Sequence, residues 1–235
     1  MAEEWRQYSG RWNLQTQGQA AGAFKWPGVV IPERLWGWGV NNNGQIGYGD
    51  TTNYSSPVQV GSLSWPEISA GATFSLAVDP NGKLWSTGQN NYGQLGLGNT
   101  ASYSSFTQVG ALTTWSKPAA LGGEGSANAA IKTDGTLWTW GYNAQGQLAD
   151  GTTNNKSSPI QVGSLTTWSK TTGGNIHSGA TASDGTLWTW GAGSTGQLGH
   201  GNTTSYSSPV QVGALTTWSV LARASTANLF IGLQL

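Results

Sequence analysis

The segment SPIQVG (Ser158–Gly163) sets Ile160 and Val162 against polar neighbours, and the phrase QVG returns with Gln59, Gln108 and Gln211 as its first residues. Alternation with period two over five or six residues predicts a half-buried strand. A second strand opens at WSK (Trp168–Lys170) and stops at Gly173 and Gly174, and a third runs to Asp184–Gly185. LWTWG (Leu187–Gly191) follows at once as a fourth strand, so that Leu and Thr face one way and the two Trp the other. The dipeptides Asp134–Gly135 and Asp184–Gly185, with Asn81–Gly82 in the same place, supply the positive φ of a two-residue hairpin turn between strands three and four. No helical period runs through residues 35–235.

This four-strand pattern repeats. The triplet GQ(I/L) begins at Gly44, Gly93, Gly146 and Gly196, at intervals of 49, 53 and 50 residues, and the QVG phrases keep the same intervals. A period near 50 with four short strands per unit predicts an all-β propeller. Blades written as QVG strand, Trp strand, third strand and LWTWG strand run from about Pro57 to Gly88, Phe106 to Gly141 and Pro159 to Gly191. A fourth starts at Pro209 and reaches Ala227–Leu235 without an LWTWG strand, while an extra copy, LWGWG, stands at Leu35–Gly39. The expected architecture is therefore a small propeller of about four four-stranded blades (35–235). It is closed by an N-terminal strand, Leu35, Trp36 and Trp38 among its residues, that completes the last blade beside Ala227–Leu235, of its own chain or, by strand exchange, of a neighbouring subunit, and is buried there.

LWTWGYNAQGQL (Leu137–Leu148), SSPIQVG (Ser157–Gly163) and TASDGTLWTWG (Thr181–Gly191) resemble the repeat of the regulator of chromosome condensation family, from about Leu35 to Leu235. The resemblance implies a β-propeller. Its eukaryotic member is typically seven-bladed and uses an added wedge to expel nucleotide from a small GTPase. This chain has about four repeats and no comparable insertion.

Residues 1–34 lack the repeat and form a separate N-terminal segment. Asn13 is a candidate cap for a short helix over Asn13–Phe24, and Trp5, Trp12 and Trp26 are too many aromatic residues to leave in water, so this segment reads as an anchor. Its GRWNLQ…WP run, followed by uncharged Asn/Gly/Thr-rich repeats, resembles tailed-phage tail-fibre and other virion proteins.

Composition narrows the chemistry. Ten basic and ten acidic side chains cancel to a formal charge of zero, which gives no electrostatic case for nucleic acid or an anionic membrane. There is no Cys, so thiolate metal sites and disulfides are excluded, and the two His, His177 and His200, are not in metal-ligand spacing. No nucleophile motif or phosphate loop is present, and no cofactor is expected. Several carboxylates stand in predicted turns, where Asp favours the backbone geometry by itself. The candidate recognition surface is the row of polar GQL-to-SSP connections, with Tyr54, Tyr103 and Tyr206 at matching positions.

The leading functional expectation is a non-enzymatic phage virion component, a tail fibre, tip or capsid decoration. It would join other virion proteins or copies of itself through residues 1–34 and face a host-surface receptor. The alternative is a cellular, cytoplasmic protein-binding propeller of inhibitor or exchange-factor type.

Overall fold

The computed structural model describes residues 34–121, 127–221 and 232–234. The chain divides into two units, 1–32 and 33–235, and every described element belongs to the second. The expected anchor, with Trp5, Trp12, Trp26 and the helix cap Asn13, lies outside the described residues. So does most of Ala227–Leu235.

Among the described residues there are sixteen strands and no helix. The N-terminal strands are β1 (Arg34–Gly39) and β2 (Tyr54–Ser64). They are followed by β3 (Glu67–Ala70), β4 (Phe74–Val78), β5 (Leu84–Gly88) and β6 (Tyr103–Gln108). The second period holds β7 (Trp115–Leu121), β8 (Ala127–Lys132), β9 (Leu137–Gly141) and β10 (Lys156–Gln161). The third holds β11 (Trp168–Gly173), β12 (His177–Ala182), β13 (Leu187–Gly191) and β14 (Tyr206–Gln211). The described strands end with β15 (Trp218–Leu221) and β16 (Gly232–Gln234). All pairing is antiparallel. Three sheets have four strands in the order β3-β4-β5-β6, β7-β8-β9-β10 and β11-β12-β13-β14, and two have two, β1-β2 and β15-β16.

The repeat is thus a blade, but its phase differs from the one read in sequence. The QVG strand pairs with the LWTWG strand that precedes it: Thr139 stands opposite Ile160, and Thr189 opposite Val210. A blade therefore runs Trp strand, third strand, LWTWG strand, QVG strand, here called A, B, C and D. The physical reason is loop length. The GQL connection folds back on itself and returns the chain antiparallel beside the strand it has just left, which fills the edge of strand C immediately.

That phase also bears on the closure expected from sequence, since among the described residues β1 and β16 do not pair within one chain. β1 carries its own D strand, with Trp36 opposite Gln59 and Gly37 opposite Val58, and among the described residues it pairs with β2 alone. β16 pairs with β15 alone. Trp36 is 50% exposed, and Trp38 is 62% exposed against 0% for its counterparts Trp140 and Trp190, because among the described residues no A and B strands pair with β1. The described residues hold three whole blades flanked by a C–D half-blade and an A–B half-blade.

A tight hairpin joins B to C, but its loop has three residues rather than the expected two, as the Lys132 amide bonds to the Thr136 carbonyl, and the Gly alone takes positive φ. Gly82, Gly135 and Gly185 have φ between +73° and +79°. The Asp two residues before the C strand's lead-in caps the turn: Asp134 Oδ1 accepts from the Thr136 amide and hydroxyl, at 3.0 and 2.6 Å, and Asp184 does the same for Thr186. Those bonds hold the carboxyls of Asp134 and Asp184 below the ordinary carboxylate range. The Trp138 and Trp188 indoles then donate to Thr136 and Thr186 Oγ1, at 2.9 and 3.0 Å.

Two apolar clusters fill the blades. One gathers Leu121, Ile131, Leu137, Leu148, Trp168 and Trp190, the other Phe74, Leu76, Leu84, Leu95, Trp115 and Trp140. Trp115 and Trp168, at the start of their A strands, are buried and meet Trp138 and Trp188 edge-on. The repeated Trp residues are packing units, which the matching phase in every blade requires.

Candidate recognition surface

Four loops leave the C strands and return as D strands: residues 40–53, 89–102, 142–155 and 192–205. In three of them a buried Asn two residues past the C strand organises the backbone. Asn143 Oδ1 accepts from the Leu148 amide at 2.9 Å, and its Nδ2 donates to Asp150 Oδ1 and to the carbonyls of Thr152 and Asn154. Asn90 makes the equivalent set with Leu95, Asn99 and Ala101, and Asn41 with Ile46 and Asp50. A second side chain closes the loop from its far end: Asn53 and Asn155 Oδ1 accept the Asn41 and Asn143 amides, and Ser102 Oγ that of Asn90. In the fourth loop Gly193 stands at the Asn position, where a Cβ would collide with the Thr204 carbonyl, and Ser205 Oγ accepts the Gly193 amide.

The same loops fasten each blade to the next. Gly49, Gly98 and Gly151 donate their amides to the carbonyls of Ser104, Ser157 and Ser207 on the following D strand, at 2.8, 2.7 and 2.8 Å. The carbonyls of Gln94 and Gln147 accept from the Trp140 and Trp190 indoles of the following C strand, both at 2.9 Å. In the first junction Thr87 replaces that Trp and its hydroxyl donates to the Gly44 carbonyl at 2.8 Å.

On this constant frame one position differs in every blade and stands beside a second that is Tyr in three blades and Lys in one. One lies two residues past the buried Leu or Ile of GQ(I/L), at Tyr48, Leu97, Asp150 and His200. The other starts the D strand, at Tyr54, Tyr103, Lys156 and Tyr206. Tyr48 meets Tyr54 edge-on with ring centroids 5.5 Å apart. Leu97 and Tyr103 both pack on the apolar cluster. Asp150 and Lys156 form a 3.1 Å ion pair, and His200 meets Tyr206 edge-on at 5.2 Å. Four loops of one shape therefore carry an aromatic pair, two core-packed residues, an ion pair and a His–Tyr pair.

The environment tunes these groups. Tyr54 donates to Asp50 Oδ2 at 2.6 Å, which pushes its phenol up to about 12. Burial raises the Asp150 carboxyl, but contacts from Thr152, Lys156 and Asn143 outweigh it and hold the group below its usual range. Burial lowers His200. The Thr189 hydroxyl gives its one proton to the Leu198 carbonyl at 2.7 Å, so His200 Nε2, 3.0 Å away, is the donor to Thr189 Oγ1.

The three tyrosines singled out in sequence thus begin three D strands, each engaged with its own loop and none sharing a cleft with another. Sequence reading missed their partners at 48, 97, 150 and 200, although the repeat alignment already showed that column varying between fixed glycines. His177 is buried in β12, far along the chain from His200 in its loop, and among the described residues no group of three His, Cys, Asp or Glu could hold a metal ion. Nor do the described residues hold a helix long and apolar enough to cross a membrane.

A second concavity of about 490 Å³ lies along the A strands, between Glu67, Lys117, Ala119, Lys170 and Thr171. Its lysines are committed to structure: Lys117 Nζ donates to the Ser169 carbonyl and Lys170 Nζ to that of Ser219, at 2.9 and 2.7 Å.

Comparison with known proteins places this architecture. The family described as the regulator of chromosome condensation (RCC1) repeat matches residues 33–78, 81–127, 134–181 and 184–225. The chain is 28% identical over 151 residues to the RCC1 domain-containing protein RUG3, mitochondrial, of Arabidopsis thaliana, covering 63% of this chain and 34% of that protein. It is 29% identical over 137 residues to the human E3 ubiquitin-protein ligase HERC2, covering 57% of this chain and 3% of that one. Human WBSCR16 superposes with a TM-score of 0.74 at 21% identity, over 88% of this chain and 54% of that one. Prp20p of Saccharomyces cerevisiae, whose structure is described with its binding to Gsp1p and histones, superposes with a TM-score of 0.70 at 18% identity over 85% and 52%. The chain spans about a third of the plant protein and about half of the two solved chains. With four family repeats covering most of its length and the blade geometry that carries them, the chain belongs to the regulator of chromosome condensation repeat family.

Proposed function

We propose that the protein is a non-enzymatic protein-binding scaffold of cellular type, which recognises its partner along the row of four loops. The observation that carries this reading is the pairing of a constant frame with varied chemistry. The Asn and Gly positions that set loop shape hardly change, while the position two past GQ(I/L) is Tyr, Leu, Asp and His in turn, beside a D-strand start that is Tyr in three blades and Lys in one. A packing role would repeat one solution, as the Trp positions do; a recognition surface needs different chemistry at fixed places. The neutral net charge fits a protein partner better than a polyanion. The relatives reported above are plant, human and yeast proteins, which favours the cellular alternative over the virion part suggested by the N-terminal run.

The test is crosslinking of the tagged chain in a lysate of its source, with the crosslinked residues mapped. A specific protein joined through residues 48–54, 97–103, 150–156 or 200–206 supports the proposal. A partner crosslinked only through the groove beside Lys117 and Lys170 would move the recognition surface there.

A further inference from the structure

The two half-blades are the complementary parts of one blade. β15 and β16 occupy A and B, and β1 and β2 occupy C and D. Three features show where the first pair must sit. The strands of successive blades meet A to A, as β3 meets β7 and β7 meets β11. Before β3 and β4 no A strand stands among the described residues: a groove of about 420 Å³ runs between Trp36, Trp38 and Val40 on one side and Ile68, Ala70 and Ser75 on the other. Trp38, Val40 and Ile68 are 62%, 62% and 59% exposed there, an unusual loss of apolar burial for a chain with so little charge.

The staples point the same way. Loops one to three each donate a Gly amide to the following D strand, whereas among the described residues the counterpart in loop four, Gly201, makes no such bond. Ser55 holds in β2 the position of Ser104, Ser157 and Ser207. Likewise Trp38 holds the position of Trp140 and Trp190, and the Gln197 carbonyl that of Gln94 and Gln147, yet Trp38 and Gln197 do not meet. Every contact of a fourth junction is specified, with donor and acceptor at opposite ends of the arc.

We propose that a second copy of the chain completes this junction. The β15–β16 half-blade of one copy takes the groove beside β1 of the other, and reciprocally, which gives a two-fold ring of eight blades. Curvature decides against closure within one chain. Closing four blades demands about 90° of turn per blade and eight about 45°, and this chain superposes on 54% of the longer human WBSCR16 chain with a TM-score of 0.74, so its blades follow part of that fold rather than a complete smaller ring. A closed two-fold ring leaves no strand edge exposed. By the register of β12 on β13, where Thr181 faces Leu187 and Ala180 faces Trp188, Leu233 of one copy faces Leu35 of the next and Gly232 faces Trp36.

Light scattering on the purified 235-residue chain should give about 49 kDa, twice 24.5 kDa. Trp38→Ala should weaken that dimer at least tenfold while leaving the strand circular dichroism in place. Because the chain has no Cys, register can be tested directly. An equal mixture of Leu35→Cys and Leu233→Cys chains should oxidise to a disulfide-linked pair. A monomer at every concentration would overturn the proposal. So would single variants that stay unlinked while the double variant links within one chain, which would show self-closure. A chain saturated by some other protein at this groove would equally refute a second copy as occupant.

Discussion

Asn143 shows how much one side chain can organise. It satisfies the Leu148 amide and three acceptors inside a loop that has no regular secondary structure. Asn143→Ala should cost about 2–4 kcal/mol, since two Nδ2 donor hydrogens and the Oδ1 acceptor are lost at about 1 kcal/mol per bond and the buried Leu148 amide is left unmet. Chemical denaturation will check this. The turn glycines give a sharper contrast. Gly163 has φ +58° with nothing near a Cβ, so Gly163→Ala should cost only the left-handed strain, about 1–2 kcal/mol. Gly135 has φ +77°, and its Cβ would also collide with the Thr166 carbonyl, so Gly135→Ala should cost about 3 kcal/mol or more. Equal losses in the two variants would contradict the turn geometry.

Titration tests the paired positions at the same scale. Asp150 is depressed in the folded chain, so its contribution to stability is complete above its unfolded value near ~4 and disappears as pH falls through the lower folded value. Asp150→Asn should therefore flatten the loss of thermal stability below about pH 4. Tyr54 behaves oppositely. Its raised phenol favours the folded state until pH climbs from about 10 towards about 12, and Asp50→Asn should bring one tyrosine ionisation back towards 10 in an ultraviolet titration.

At the scale of elements, the blade junction rests on a bond that crosses from a C strand to the preceding loop. Trp140→Phe keeps most of the ring and removes the 2.9 Å bond to the Gln94 carbonyl, which retains Asn128 Nδ2 as a second donor. The cost should be about 1–3 kcal/mol and should fall on the junction, seen as faster amide exchange in both β9 and loop 89–102. Thr87, which serves the first junction with a hydroxyl, indicates that a smaller donor suffices where Phe74 and Phe106 supply bulk.

Across the whole molecule, the strands, the turns and the packing role of the repeated Trp were legible because each is written in local pattern: alternation, Asp-Gly, and aromatic residues at constant phase. The assignment of QVG to the blade before it was not. Both phases give the same intervals, and only the return of the GQL loop, a backbone matter of Asn41, Asn90 and Asn143, decides between them. That error propagated to the ends, where Leu35–Gly39 brings its own D strand and leaves Trp36 and Trp38 uncovered. At the recognition surface Tyr54, Tyr103 and Tyr206 were visible as a repeated residue type, while Tyr48, Leu97, Asp150 and His200 share no type and are united only by the space each fills.

The claim that a fixed frame displays variable recognition chemistry is tested most directly by exchanging one pair. His200→Asp with Tyr206→Lys gives the fourth loop the pair that the third carries naturally, and neither the His200 nor the Tyr206 side chain bonds to the backbone frame of its loop. Calorimetric titration of this double variant with the crosslinked partner should show at least a tenfold loss of affinity while the thermal midpoint stays within a few degrees. Unchanged affinity in a variant of unchanged stability, repeated for the other three pairs, would contradict the account.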